Sequence, residues 1–91
     1  MNPTERLPEI ERRLEDSFSP ESLLVEDESH LHAGHAGARD GRGHFRVSIV
    51  AEAFEGMSPI KRHRAIYTSM GDLMQSDIHA LSIEALASSE L

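Results

Sequence analysis

The sequence predicts a two-layer α/β domain of the α+β type, in which two helices cover one face of a three-stranded mixed sheet. Two observations support this α-β-β-α-β order. Apolar residues recur at helical spacing in two segments and at strand spacing in three others. The second helix also separates two strands, which is typical of a right-handed crossover between parallel neighbours. The 91 residues suffice for one domain, residues 1–91, with one modest core.

An amphipathic first helix is predicted near the start of the chain, because apolar residues recur there every three to four positions with charges between them. Pro8 is compatible with the first turn of this helix, or with a kink in a helix that begins at Thr4. The pair Ser19 and Pro20 is expected to end it. The apolar positions are Leu7, Ile10, Leu14 and Phe18.

Two strands follow, joined by a long loop. Residues 23–25 form a short apolar run, and residues 45–51 alternate between the two faces as in a strand with one buried face. Between them, residues 29–44 contain four glycines and four histidines. Glycine disfavours a fixed backbone, and a loop of this length is usually functional or disordered. We therefore expect a flexible loop, the most mobile segment when no metal or partner is bound.

A second helix and a third strand complete the predicted fold. Ser58 is a suitable N-cap and Pro59 a suitable first helical residue, and the helix is expected to reach about Gln75. Asp77 begins a turn into a strand at residues 78–85, and the last four residues, 88–91, are expected to fray. The positions predicted to face the core are Ile60, His63, Ile66, Tyr67, Met70, Leu73 and Met74 on the helix and His79, Leu81, Ile83 and Ala85 on the strand. Among these, His63 is expected to be partly buried and hydrogen-bonded to backbone.

The composition and the motifs exclude several classes of function. The absence of cysteine excludes disulfides, a thiol nucleophile and any all-cysteine zinc or iron–sulfur site. A net charge of −7 argues against a general nucleic-acid binder, although residues 29–67 carry a local net charge of +3. No phosphate-binding glycine loop, nucleophile elbow or acid/base pair has recognisable spacing, so we expect a binding protein and not an enzyme. The apolar stretches are too short to span a bilayer and no apolar signal opens the chain, which favours the cytoplasm and no membrane partner.

Five short segments follow one another in a characteristic order and spacing. They are Glu28-Ser29-x-x-His32, His44-Phe45-x-Val47, Phe54-x-Gly56, Arg62-His63-Arg64-x-x-Tyr67 and Ile78-His79-Ala80-Leu81. Of these, Arg-His-Arg-x-x-Tyr followed by Ile-His-Ala-Leu is the specific combination. The chain therefore resembles proteins of the BolA family over residues 5–86, many of which continue into a third helix after the third strand.

The resemblance implies a KH-like fold and a partnership with a monothiol glutaredoxin. In that arrangement a 2Fe-2S cluster takes thiolates from the glutaredoxin and from glutathione, and the BolA-like chain supplies the remaining ligand or ligands. The isolated chain is expected to hold no cofactor. The resemblance assigns His79 as one metal ligand and His32 as the loop ligand, with His35, His30 and His44 as alternatives. Imidazole suits this role because it replaces thiolate on one iron of Rieske clusters.

Other functions are also compatible with the sequence. A DNA-binding transcriptional regulator, an activity also attributed to the BolA family, would contact the duplex through the second helix and the turn before it. Direct binding of zinc, nickel or copper by the loop histidines at 30, 32 and 35 would need no partner. A weak homodimer is also compatible with the sequence. The residues assigned to nucleic-acid or partner contact are Gly56, Lys61, Arg62 and Arg64.

Overall fold

The structure, a computed structural model, describes residues 1–32 and 41–91, the side chain of His32 excepted. The sheet has the order β1-β2-β3, with β1 and β2 antiparallel and β2 and β3 parallel. The predicted element order, mixed sheet and parallel crossover are therefore confirmed. Short 3-10 turns at 3–5, 29–32, 52–54 and 88–90 connect the main elements. These elements are α1 (Arg6–Phe18), β1 (Ser22–Asp27), β2 (Gly43–Val50), α2 (Pro59–Met70), α3 (Leu73–Ser76) and β3 (Ile78–Leu86).

The core is mainly aliphatic and lies between the helices and one face of the sheet. Ile10 and Leu14 of α1 and Ile66 of α2 are fully buried there against Val47 and Ile49 of β2. Burial of each such side chain contributes roughly 1.5–3 kcal/mol relative to exposure. The helical spacing of α1 and the alternation of β2 are thus confirmed by the faces that they bury.

The start and end of α1 follow the local signals in the sequence. Pro8 lies in the first turn of the helix, where a missing N–H removes no intrahelical hydrogen bond. Ser19 ends the helix in the left-handed conformation, with φ 44°, and its N–H donates to the Glu15 carbonyl. Pro20 follows and cannot continue the helix.

The second helix is shorter than predicted. Gly71 ends α2 with φ 55°, and Leu73–Ser76 form a separate helical turn, so the expected continuous helix to Gln75 is wrong. Positive φ is unstrained only for glycine among common residues, which explains the break. The Arg13 side chain of α1 donates to the Met70 carbonyl at this end, where a cation also interacts favourably with the helix dipole.

The buried face of α2 is rotated from the predicted one. Arg62, Ile66 and Met70, each four residues apart, form the buried row. His63 and Tyr67, which were expected to face the core, are exposed. The same is true of Ile60 at the first turn. The prediction failed because it treated Arg62 as a surface charge, whereas its side chain shares the core spacing.

Arg62 is 8% exposed, and its guanidinium binds both the segment before α2 and the end of the chain. Its Nε donates to the Met57 carbonyl at 2.9 Å, and its Nη1 donates to the Ala85 carbonyl at 3.0 Å and to Glu90 Oε1 at 2.5 Å. The Ala87 N–H and then Arg62 hold the pKa of Glu90 below its ordinary value. Residues 88–90 consequently form a 3-10 turn, and the prediction that this tail frays is wrong.

The outer edge of β3 is capped by side chains of α2. The Leu86 carbonyl accepts from the Ala51 N–H and so points towards β2. Because carbonyls alternate in direction along a strand, those of Leu81 and Ala85 point away from β2. Tyr67 Oη donates to the first at 3.3 Å, and the buried arginine donates to the second. Two acceptors on an edge that could pair with a foreign strand are therefore satisfied.

The predicted loop at 29–44 is structured at both ends. Ser29–His32 form a 3-10 turn, and β2 begins at Gly43, two residues before the predicted start. A Cβ on Gly43 would lie 2.6 Å from the Phe45 ring, so this glycine permits close packing and does not loosen the chain. Residues 33–40, on which the predicted mobility mainly falls, lie outside the described residues.

An ion pair ties α1 to the start of β3. Arg6 Nε donates to Asp77 Oδ1 at 2.9 Å, and Arg6 Nη2 donates to the Gly41 carbonyl at 2.7 Å. The Asp77 carbonyl in turn accepts from the Gly43 N–H at 2.8 Å. The Asp77 side chain is only 6% exposed, and the Ser76 hydroxyl and Arg6 together lower its pKa. The side chain and the carbonyl of one buried residue, Asp77, thus join α1 and the start of β2 to the start of β3.

The substitution Asp77→Asn is expected to lower the free energy of unfolding at pH 7 by about 1–2 kcal/mol, because the charge-assisted bond to Arg6 is weakened. The folded pKa of Asp77 lies below the ordinary value of about 3.9, so its ionised form stabilises the fold above that pH. This contribution is lost as the pH falls through the folded-state pKa. Urea unfolding at several pH values should therefore show a wild-type advantage that shrinks below about pH 4. A difference that does not depend on pH would contradict this role for Asp77.

Arg62→Met is expected to destabilise the fold by about 2 kcal/mol or more, since it removes charged donors from buried acceptors while keeping the aliphatic stem. Tyr67→Phe removes one hydrogen bond and should cost about 1 kcal/mol. The matched control is Arg64→Met on the exposed side of the same helix, for which a change within about 0.5 kcal/mol is expected. Chemical denaturation measures all three. Equal effects of the two arginine substitutions would show that Arg62 has no special structural role.

Candidate functional site

Two of the six histidines lie together where the parallel strands β2 and β3 begin. The ring centroids of His44 and His79 are 5.1 Å apart, with an interplanar angle of 46°. His44 is 9% exposed, whereas His79 is exposed on the surface. The structure thus presents one accessible imidazole beside one buried imidazole, at an edge that another molecule can approach.

A bulge in β3 explains the exposure of His79. Gly43 pairs with Ile78, but the next residue, His44, pairs with Ala80, so His79 is the extra residue on β3. A bulge re-aims the side chain at the extra position and breaks the alternation of the strand. The prediction that His79 faces the helices is therefore wrong, whereas Leu81 is buried and Ile83 and Ala85 pack against the core as expected.

Arg42 contacts the exposed ring. Its Nη2 lies 3.1 Å from His79 Nδ1. A guanidinium has only donors, so Nδ1 is the acceptor in this contact and the ring proton of neutral His79 lies on Nε2. The sequence reasoning missed this contact, because 37 residues separate the two positions and no local pattern connects them.

The turn at Ser29–His32 is hydrogen-bonded to the backbone of the buried histidine. The His44 N–H donates to Ser29 Oγ at 3.1 Å, and its carbonyl accepts from the Glu28 N–H at 2.8 Å. The turn at Ser29–His32, which opens the histidine-rich loop predicted at residues 29–44, therefore begins next to His44. Within this turn His30 is exposed.

The ring of His32 and all of His35 lie outside the described residues, so their assignment as ligands stays a prediction. Among the side chains that the structure does describe, no three His, Asp or Glu residues are grouped closely enough to hold a metal ion. The described part of the site therefore offers a pair of imidazoles, and a complete coordination sphere there needs ligands from another source. Imidazole nitrogen is a suitable donor for iron, zinc, nickel and copper.

The residues assigned to partner or nucleic-acid contact divide into two groups. Lys61 and Arg64 are exposed on the first turns of α2, and Gly56 lies exposed in the preceding turn with φ 77°. Arg62 is buried and bound to backbone, so its assignment as a surface contact is corrected. His63, which was expected to be partly buried, instead adds an exposed imidazole between the two cations.

The chain is similar in sequence to proteins from plants and bacteria. It is 46% identical over 87 residues to SufE-like protein 1, chloroplastic/mitochondrial, of Arabidopsis thaliana, a match that covers 90% of this chain and 24% of that protein. It is 38% identical over 81 residues to the DNA-binding transcriptional regulator BolA of Vibrio cholerae, covering 89% of this chain and 74% of that one. The chain thus spans about a quarter of the plant protein, and most of the Vibrio regulator.

No helix within residues 1–32 and 41–91 combines the length and the apolar character needed to cross a bilayer. The plant relative carries an organelle designation in its name. A cytoplasmic location for this chain accordingly stays a prediction.

A family model described as BolA-like protein matches residues 14–90, which is most of the chain. Among solved structures, the BolA domain of SufE1 from Arabidopsis thaliana superimposes with a TM-score of 0.84 at 43% identity, covering 94% of this chain and 95% of that domain. The resemblance carried by the five sequence segments is confirmed at the level of sequence family and of fold, and the chain belongs to the BolA-like protein family.

Proposed function

We propose that the chain is a binding protein and not an enzyme, and that it shares a 2Fe-2S cluster with a monothiol glutaredoxin and glutathione in iron homeostasis or cluster trafficking. The observation that carries the proposal is the exposed imidazole of His79 beside His44 at the open start of two strands. The cluster is cargo shared between molecules. Each partner contributes part of its coordination.

The donor chemistry supports a shared site. The chain has no cysteine, and its described residues contain no group of three potential ligands. An iron–sulfur cluster needs four protein or small-molecule ligands, and one or two imidazoles can replace thiolates on one iron. A partner that brings thiolates therefore complements what this chain offers.

The backbone at His79 is well held for ligation. Ile78, directly before it, is fully buried, and Asp77 is tied to both α1 and β2. A ligand on such a segment loses little conformational freedom on binding. Loop histidines, in contrast, lose the entropy of the residues that must be ordered with them. His79 is therefore proposed as the principal ligand and His32 as the second.

Two observations support binding in preference to catalysis. The described residues enclose no pocket for a small molecule, and the histidine pair lies at the surface. Small-molecule enzymes usually act in concave sites that bury most of their substrate. The Vibrio relative is also named as a regulator.

A second candidate function is DNA binding. Lys61, His63 and Arg64 are exposed on α2, and its first turn has no acidic residue. The Vibrio relative is named a DNA-binding transcriptional regulator. The patch is small against a net charge of −7, so we rank this function below cluster sharing. Partner-free binding of zinc, nickel or copper by the loop, and a weak homodimer, remain hypotheses.

His79→Ala is expected to abolish or strongly alter the visible circular dichroism of the cluster reconstituted with glutaredoxin and glutathione, because a ligand on the fixed strand is lost. His32→Ala should give a partial loss, since neighbouring histidines in the loop can substitute for it. His63→Ala is the matched control, as it removes an exposed imidazole elsewhere. An unchanged spectrum for folded His79→Ala protein would rule out His79 as a ligand.

If the chain binds DNA through α2, fluorescence anisotropy should show an affinity that falls with salt, with a slope set by the number of phosphates neutralised. The double substitution Lys61→Ala and Arg64→Ala should reduce this slope by about 2. Arg12→Ala removes one positive charge from the exposed side of α1, away from α2, and should leave the slope unchanged. A slope that the double substitution leaves unchanged would exclude α2 as the contact surface.

A further inference from the structure

The contact between Arg42 and His79 affects how the ring can bind a metal. Arg42 Nη2 lies 3.1 Å from His79 Nδ1, and the guanidinium can only donate. We propose that Arg42 is a positioning residue that holds His79 in the Nε2–H form and makes it select a glutathione-bound 2Fe-2S cluster over a free divalent cation. The cluster part of this inference rests on the proposed function; the hydrogen bond and its effect on free metal do not.

Ligation through either ring nitrogen breaks the contact. A metal bound at Nδ1 needs the lone pair that accepts the hydrogen bond from Arg42. A metal bound at Nε2 requires the ring proton to move to Nδ1, where it would point at a donor of Arg42. A histidine binds a metal as a neutral imidazole, through the lone pair of one ring nitrogen. No other mode of ligation therefore leaves the contact with Arg42 intact. Arg42 must therefore move away before His79 binds any metal.

The position of Arg42 is built into the fold. Its neighbour Gly41 has φ 83°, and the Gly41 carbonyl accepts from Arg6 at 2.7 Å. On the other side, Gly43 pairs with β3 and packs against the Phe45 ring. The backbone is thus anchored on both sides of Arg42. Rotation of the side chain would take the guanidinium off the ring and leave its positive charge near the site.

The positive charge of the displaced Arg42 side chain affects a free divalent cation and a 2Fe-2S cluster differently. A free divalent cation has to displace Arg42 and is then repelled by the nearby guanidinium. The positive charge of an oxidised 2Fe-2S core is cancelled by the thiolates of glutaredoxin and glutathione, and the carboxylates of glutathione add negative charge beside it. The displaced guanidinium attracts those carboxylates, and charge-assisted hydrogen bonds to them offset the bond that was lost. Arg42 should consequently weaken free-metal binding more than cluster binding.

The first test uses the isolated chain and no metal. Long-range ¹H–¹⁵N correlation spectra at a pH where His79 is neutral should show the Nε2–H form in the wild type. Arg42→Met should give a mixture of the two forms. Arg46→Met is the matched control, because it removes an exposed positive charge four residues further along the chain, on β2, where Arg46 bonds Glu28 and not His79. Its tautomer should match the wild type.

The second test compares zinc with the cluster. Zn²⁺ titration followed on the His79 ring signals should show roughly three- to tenfold tighter binding for Arg42→Met, the equivalent of one typical intramolecular hydrogen bond. Arg46→Met should not reproduce that gain. With glutaredoxin and glutathione, Arg42→Met should hold the cluster no more tightly than the wild type does. Thermal unfolding should confirm that both variants are folded.

The outcomes separate this inference from the function on which it rests. If the wild type forms no cluster with glutaredoxin while the tautomer and zinc results are as expected, cluster sharing fails and the selection of a glutathione-bound cluster is overturned with it. If the cluster binds through His79 but Arg42→Met changes neither tautomer nor zinc affinity, the role of Arg42 is overturned alone. An equal gain for zinc and cluster would also overturn the claimed selectivity.

Discussion

The pairing between the beginnings of β2 and β3 is the constraint on which the site depends. Asp77 supports it directly through a carbonyl that accepts from Gly43, and indirectly through a buried side chain that binds Arg6, which also donates to the Gly41 carbonyl. These bonds fix the residue directly before β3, and the regular parallel ladder fixes the residues after the bulge. His79 lies between the two fixed regions and is left as the extra residue. The exposure of His79 therefore results from the strand pairing on both sides of the bulge.

The parts of the fold that depend on neighbouring residues were predictable from the sequence. Ser58 and Pro59 start α2, Ser19 ends α1, and alternation over β2 identifies the buried face, because each signal acts within a few residues. The buried face of α2 was not predictable in this way. Arg62 occupies a core position only because carbonyl acceptors from distant segments meet its guanidinium, and hydropathy carries no information about such partners.

The candidate site could be predicted only in part from the sequence. The family resemblance identified His79, but period-two alternation placed it on the wrong face, since a bulge is invisible to a rule that assumes regular pairing. His44 was named only as an alternative, yet it is the histidine that the structure brings to His79. The contact of Arg42 depends on tertiary structure alone. Local composition could suggest a basic patch here but not which ring it meets.

The Arg-His-Arg-x-x-Tyr segment combines two roles that a sequence motif cannot separate. Arg62 and Tyr67 donate to carbonyls of β3, so they hold the strand that carries His79. His63 and Arg64 point to solvent and are free to contact a partner surface. Loss of binding after substitution of Arg62 would therefore follow from a displaced strand as readily as from a lost contact. Because the two exposed residues lie next to it on the same helix, only a comparison that measures stability together with binding assigns each residue its role.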